Sequence, residues 1–375
     1  MTLIVDGTTG VTFNDSSLQG AAASPFGLKN RIINGDMVID QRNNGASVTV
    51  SNAVLTYPVD RFFAFQNTGS SSFTVQRTTV VPSNFNNSLL WTTTTGVSTS
   101  AAQQARITQR VEGFNVADLG WGTASAQTVT FSFWVRSSIT GTFAAALLNS
   151  AGNRAYVATF TVSAANTWEK ETITIPGDTS GTWLTDNSTG IQVVFDLGSG
   201  SNFSTTAGSW AAGEFFRASG TANVIGTTGA TFYITGVQLE RNTTATPFEW
   251  IPYGTELQLC QRYYQTLPFE AGIICSGSTI ATNAIRGPIF QLNQNMRTTP
   301  AITLPTAGTG AGQLSYRSIT NGAPGTIGTN SVLGIQTNSF RIEGDGYTGL
   351  YSGGGLAGIL WAGSGGLTIT ASAEL

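Results

Sequence analysis

The residues that most often do chemistry in proteins are thin in this chain, and histidine is missing from its 375 residues altogether. That excludes serine–histidine–aspartate and cysteine–histidine catalysis and imidazole metal ligation. Carboxylates remain. Glycosidases set two of them roughly 5–9.5 Å apart on either side of the scissile bond, and Glu169 and Glu171, two apart on a strand, have backbones roughly 6.6 Å apart on one face. The spacing is permissive, but one strand edge seldom flanks a substrate on both sides. Lys170 between them reads as a solvated strand end that resists edge pairing. Asp36 and Asp40, roughly 13 Å apart along an extended strand, are too distant for a dyad. No catalytic residue is assigned, and no enzyme activity is expected.

Aromatic rings flanked by polar groups offer a different chemistry, stacking against a sugar while amides and guanidinium groups bond its hydroxyls. Trp134 is the foremost candidate, because alternation puts it on a polar face with Thr130, Ser132 and Arg136. The plainer reading is that a loop or a neighbouring subunit covers it, since large aromatics are mostly buried. Trp183 and Trp210 sit in Gly/Ser/Thr-rich loops, where ligand contact and simple anchoring are both open. Asp178, Asp186 and Asn187 are hard oxygen ligands of the kind calcium takes, yet they fit no EF-hand, and Asp and Asn equally initiate turns. Asp60 and Arg61, flanked by Tyr57 and Phe62, read as a structural corner. Cys260 and Cys275 are too few for a disulfide scaffold and read as reduced core residues. Both lysines, Lys29 and Lys170, lie far from the C-terminus, which argues against lysine-dependent self-cleavage there. No cofactor is expected.

Short alternating runs must position these groups. Gln127 to Arg136 places Val129, Phe131, Phe133 and Val135 on one face, which must be core. Similar runs are Phe143 to Leu147, Tyr156 to Phe160, Thr172 to Ile175, Ile191 to Leu197 and Phe232 to Leu239, with turns between them; this pattern indicates an all-β sandwich or barrel. Residues 1–27 form a lead-in with one candidate hairpin at Asp6 to Phe13 and a small-residue linker at Gly20 to Pro25. Residues 28–254 hold the strand series and form the main domain; residues 255–375 form a smaller C-terminal β domain. One helix, Glu256 to Tyr264, is expected to bridge them. The alternation from Leu367 to Leu375 implies a last strand pinned inside a sheet.

Charge is the odd quantity. Only 10% of residues are charged, against about 25% in a typical soluble domain, and net charge is 17 − 20 = −3. No stretch concentrates arginine, so nucleic acid and anionic membranes are not expected partners. The N-terminus lacks the basic and apolar regions of a signal peptide, and no run reaches the roughly 18 apolar residues of a membrane span. Synthesis in the cytoplasm as a soluble chain is the expectation.

Several strings, in order, resemble a family of tailed-bacteriophage tail-fibre and tail-associated proteins. They are Asn30 to Met37, Asp40-Gln41-Arg42, Tyr57 to Phe62, Phe131 to Ser138, Ile175 to Trp183, Gly236 to Glu240, Ala245 to Phe248 and Leu259 to Tyr264, together spanning residues 28–265. The lead-in at Val11 to Gln19 is similar to fibre N-terminal anchoring pieces. Met296 to Pro300 and Ala371 to Leu375 look like fibre C-terminal domains. The resemblance implies a jelly-roll β-sandwich similar to carbohydrate-binding modules, carried on a homotrimeric virion appendage. It implies self-association, other virion proteins and a host surface glycan as partners, with Trp134, Arg136, Trp183 and Trp210 as candidate sugar contacts. A capsid decoration or head-fibre protein, or a polysaccharide depolymerase, is the alternative.

Overall fold

A computed structural model of the chain describes residues 28–69, 72–281, 284–307, 313–318, 329–345 and 357–375, with three short strands ahead of them. The chain divides into two compact units, Met1–Ile251 and Pro252–Leu375, so the break falls just ahead of the expected junction at Gly254. The leading strands β1 (Ile4–Asp6), β2 (Gly10–Thr12) and β3 (Leu18–Gln19) form a three-stranded antiparallel sheet. Its first pair is the hairpin read from the sequence; the linker from Gly20 to Pro25 lies outside the described residues.

The first unit then runs through β4 (Val48–Thr49), β5 (Thr56–Val59), β6 (Phe62–Gln66), β7 (Phe73–Thr78), β8 (Ser88–Thr93) and β9 (Ala105–Glu112). After a 3-10 segment at Gly113–Leu119 come β10 (Val129–Ser137), β11 (Gly141–Asn149), β12 (Arg154–Val162), β13 (Glu169–Ile175), β14 (Thr189–Asp196), β15 (Trp210–Ala212) and β16 (Thr231–Glu240). They build two antiparallel sheets, a six-stranded one ordered β13-β10-β16-β8-β7-β4 and a seven-stranded one ordered β15-β12-β11-β14-β9-β6-β5. The unit is a β-sandwich. Between the sheets lies one apolar core in which Val129, Phe131, Phe133 and Val135 meet Phe143, Leu147, Phe160, Val193 and Phe195.

Two departures from simple alternation matter. β16 carries an extra residue opposite Phe133, because Ser132 pairs with Gln238 while Trp134 pairs with Thr235. The bulge shifts the inward phase, so Phe232 and Ile234 before it and Val237 and Leu239 after it all face the core. Gly236 makes it possible: its φ is +59°, and a Cβ there would stand 2.6 Å from the Phe85 ring and 3.1 Å from Trp134 Cδ1. The second departure is that β11, β12 and β14 are buried on both faces. Ala144, Ala146, Leu148, Val157 and Val194 pack outward beneath Phe203, Phe215 and Phe216, which explains the unbroken apolar run at Phe143 to Leu148.

The segment from Asn30 to Met37 straps the sandwich through side-chain amides. Asn30 Oδ1 accepts from the Ile32 and Leu239 amides, each at 3.0 Å, and Gln109 bonds both the amide and the carbonyl of Ile33. Asp60 and Arg61, read as one corner, face different partners: Asp60 accepts from Arg42 Nη1 at 3.0 Å, while Arg61 Nη2 donates to the Arg110 carbonyl at 2.6 Å.

In the second unit the helix α1 spans Tyr253–Gln261, starting behind Pro252. It ends earlier than its apolar spacing suggested, because Tyr264 opens a strand paired with Ser372. The strands are β17 (Tyr264–Phe269), β18 (Gly272–Ala281), β19 (Ala284–Gln291), β20 (Ala301–Thr303), β21 (Leu314–Ser318), β22 (Thr329–Leu333), β23 (Ser339–Asp345), β24 (Ala357–Ala362) and β25 (Leu367–Ser372). They form sheets ordered β17-β25-β20 and β21-β24-β18-β19-β23-β22. The last strand is central in its sheet, paired on both edges. Cys260 forms no disulfide among the described residues and is fully buried; the Cys275 side chain lies outside the described residues.

Candidate functional site

The outer face of the six-stranded sheet holds the first pair of candidates. Trp134 and Arg136 project there as alternation requires, and both are only partly buried. Cross-strand pairing puts Lys170 and Thr235 beside Trp134, and Tyr233 beside Arg136. The Arg136 guanidinium lies 4.8 Å from the centre of the Tyr233 ring, and its Nε donates to the Asn166 carbonyl at 2.9 Å. Trp168 meets Tyr233 edge-on at 6.0 Å. The result is a row of one cation and two rings beside a partly buried indole. Such a row suits a ligand with flat apolar faces and equatorial hydroxyls. Trp168 and Tyr233 were not singled out in the sequence, though continuing the period-two register from Arg136 onto its neighbours points to both.

Beyond Gly236 the same face continues into Phe85, Phe248 and Trp250, whose ring centres lie 4.9–5.3 Å apart. Trp250 is 52% exposed.

Trp183 and Trp210 are brought together in one aromatic cluster. With Trp121 they form three mutual edge-to-face contacts at 4.7, 5.3 and 5.4 Å, and Tyr156 packs on Trp210. Each indole N–H is already engaged: Trp121 donates to the Gln127 carbonyl, Trp183 to that of Ser180 and Trp210 to that of Pro176. The Trp183 and Trp210 rings pack against the sandwich core and stay partly exposed, and Trp210, read from the sequence as a loop residue, opens the strand β15 because it pairs with Tyr156.

The oxygen-ligand candidates are also occupied. Asp178 is buried and takes a two-pronged bond from Arg154, at 2.8 Å from Nε and 2.6 Å from Nη2, while Oδ1 also caps the Ser180 amide. This hydrogen-bonded pairing raises the Arg154 pKa. Asp186 Oδ1 instead accepts from the Ser188 amide, and Asn187 follows it in the same loop. No cluster of three or more metal-ligating acidic or sulfur side chains occurs among the described residues.

Glu169 and Glu171 sit on β13 in register with Val135 and Phe133, on the inward side of an edge strand. Glu169 accepts from Ser163 Oγ and from the Ser163 and Ala164 amides. Burial pushes its carboxyl up, but these bonds outweigh it and leave the pKa lowered. Glu171 is raised by burial and by the neighbouring Glu169 charge. Glu169 is thus committed to the turn at Ser163 and Ala164 beside it.

No protein-family model and no curated protein matches the chain. Among solved structures it is similar to the enzymatically active domain of tailspike protein 4 of bacteriophage CBA120, at 14% identity and a TM-score of 0.29, over 51% of this chain and 21% of that one. It thus spans about a fifth of that structure's length. It is also similar to the C-terminal family 22 carbohydrate binding module of Clostridium thermocellum Xyn10B, at 15% identity and a TM-score of 0.28, over 52% of this chain and 97% of that one. A further xylan-binding domain of the same module family matches at 15% identity and a TM-score of 0.28, over 55% of this chain and all of that one.

Proposed function

We propose that this chain is a non-enzymatic structural protein of a bacteriophage appendage, a tail fibre or fibre-like part of the virion, that recognises a host surface glycan. The observation that carries the glycan reading is the row formed by Trp134, Arg136, Tyr233 and Trp168 on an outer sheet face. It supplies an indole for stacking and charged donors for hydroxyls, the combination a neutral sugar needs. The assignment to a phage appendage rests on the ordered strings from Asn30 to Tyr264. In this reading the chain is a homotrimer that attaches through its N-terminal strands, and shallow sites repeated across subunits add up to avidity well beyond one site's affinity.

The test is binding of the purified protein to a glycan array and to host cells, alongside Trp134→Ala. The wild type is expected to bind and to compete with phage adsorption. Truncating the indole should weaken glycan binding about tenfold or more, on the scale of one lost stacking contact. Equal binding by the variant would overturn the assignment of this face. A wild type that binds neither glycan nor cell would overturn the function.

A further inference from the structure

The first unit holds seven tryptophans, and their indole N–H groups divide into two sets. Trp91, Trp121, Trp183 and Trp210 donate to acceptors within the fold. Trp134, Trp168 and Trp250 take no acceptor among the described residues. None of these three is buried, and all three lie along the outer face of the six-stranded sheet. A tryptophan packed inside a fold generally engages its N–H there, whereas one at a binding surface presents an apolar ring and a wet donor together.

A continuous run of side chains joins them. Trp168 touches Tyr233, which lies opposite Arg136, and two residues along the ladder Trp134 lies opposite Thr235. The step from Tyr233 to Thr235 is roughly 6.6 Å of strand. Gly236 follows, where a Cβ would stand 2.6 Å from Phe85 Cζ and 3.1 Å from Trp134 Cδ1, so the two rings close over the bare glycine. The Phe85 ring centre lies 4.9 Å from that of Trp250, and Phe248 packs on both. From Trp168 to Trp250 the run is longer than one pyranose ring. A protein laid on this face would have to bring an acceptor to each of three indoles, whereas every ring of a sugar chain carries an apolar face and hydroxyls at its edge.

We propose that this face binds a stretch of a linear oligosaccharide, with sugar rings seated on Trp134 and on Trp250 as two separate platforms and Phe85 as the support between them. The inference rests on the reading of the Trp134 face as a glycan site, and adds to it a second platform and a length requirement. The test uses surface polysaccharide released from the cells that the full chain binds, divided by size into fragments of one, two and several repeating units. In calorimetric titration of the full chain, affinity is expected to rise about tenfold or more from the shortest fragment to the longest, the scale of one added stacking contact. Trp250→Ala should abolish that gain while binding the shortest fragment as wild type does, and Trp134→Ala should weaken every length. Trp250→Phe keeps a ring against Phe85 and Phe248 and loses only the N–H and part of the stacking surface, so it should fold as wild type and retain part of the gain. Equal affinity at all lengths, a gain that survives both Trp250 variants, or a Trp250→Ala chain that changes only its oligomeric state in light scattering would overturn the proposal and leave the Trp134 face standing. Absence of binding at every length would overturn both.

Discussion

The buried ion pair of Arg154 and Asp178 shows how a residue's chemistry depends on its neighbours. With Asp178 alone in view, an acidic residue in a turn serves equally as a calcium ligand or a turn former. Its pairing with Arg154, a residue 24 positions away, gives both of its carboxylate oxygens a partner in the fold and favours the turn former. Asp178→Ala removes both carboxylate oxygens from Arg154 and the cap from the Ser180 amide. Breaking a buried pair on one side costs about 3–5 kcal/mol, and Arg154 is 20% exposed, so the expected loss is nearer about 3 kcal/mol. Denaturant midpoints measure it. Calcium should leave the wild-type midpoint where it was; a calcium-dependent rise would restore the metal reading. Trp134 and Arg136 were legible from the sequence because strand alternation fixes their face. The packing of Trp183 and Trp210 was not, because Trp183 lies in a loop without a period, the short strand that Trp210 opens left no readable alternation, and their partners Trp121 and Tyr156 come from distant segments.

At the scale of elements, alternation reveals strands and fails where one residue is added or both faces are covered. The bulge at Gly236 and the roofed strands β11, β12 and β14 are those two cases. The helix is a third: apolar spacing continued to Tyr264, but pairing with β25 claimed that residue for a strand. The edge strand β13 gives this scale its prediction. Inward-pointing charge at a sheet edge discourages pairing with another chain, and here the two glutamates pull stability in opposite directions. Glu169 has a lowered folded pKa, so its contribution is present above the unfolded value and is lost as pH falls through the folded one. Glu171 has a raised folded pKa, so its contribution is present below the unfolded value and is lost as pH rises through the folded one. At about pH 7, Glu169→Gln is therefore expected to lower the urea midpoint and Glu171→Gln to raise it, each by about 1 kcal/mol or less given their exposure. Well below the unfolded glutamate value of about 4.3 both differences should shrink. Shifts of the same sign at neutral pH would contradict the opposed environments.

At the scale of the whole chain, each unit has its own apolar core, and the C-terminal residues supply much of the second. Leu367, Ile369, Ala371 and Ala373 are all buried there, beside Leu314, Phe340, Ile342 and Leu360. Their strand, β25, pairs with β17 on one edge and β20 on the other. Deleting residues 367–375 thus removes the middle of a sheet, strands two ladders and strips four core side chains at once. Burying one large aliphatic side chain stabilises by about 1.5–3 kcal/mol, so the loss rivals the about 5–15 kcal/mol that holds a typical domain together. The second unit should unfold. The first unit's core draws on none of these residues, and seven of the chain's eight tryptophans lie in it. Near-ultraviolet circular dichroism, dominated by those rings, should persist in the truncated chain, while limited proteolysis should cut beyond Ile251 and leave the sandwich whole. Loss of the tryptophan signal together with the second unit would show that the sandwich cannot stand without it. Retention of both units would show that a strand at the centre of the final sheet is dispensable, contrary to its place in the ladder.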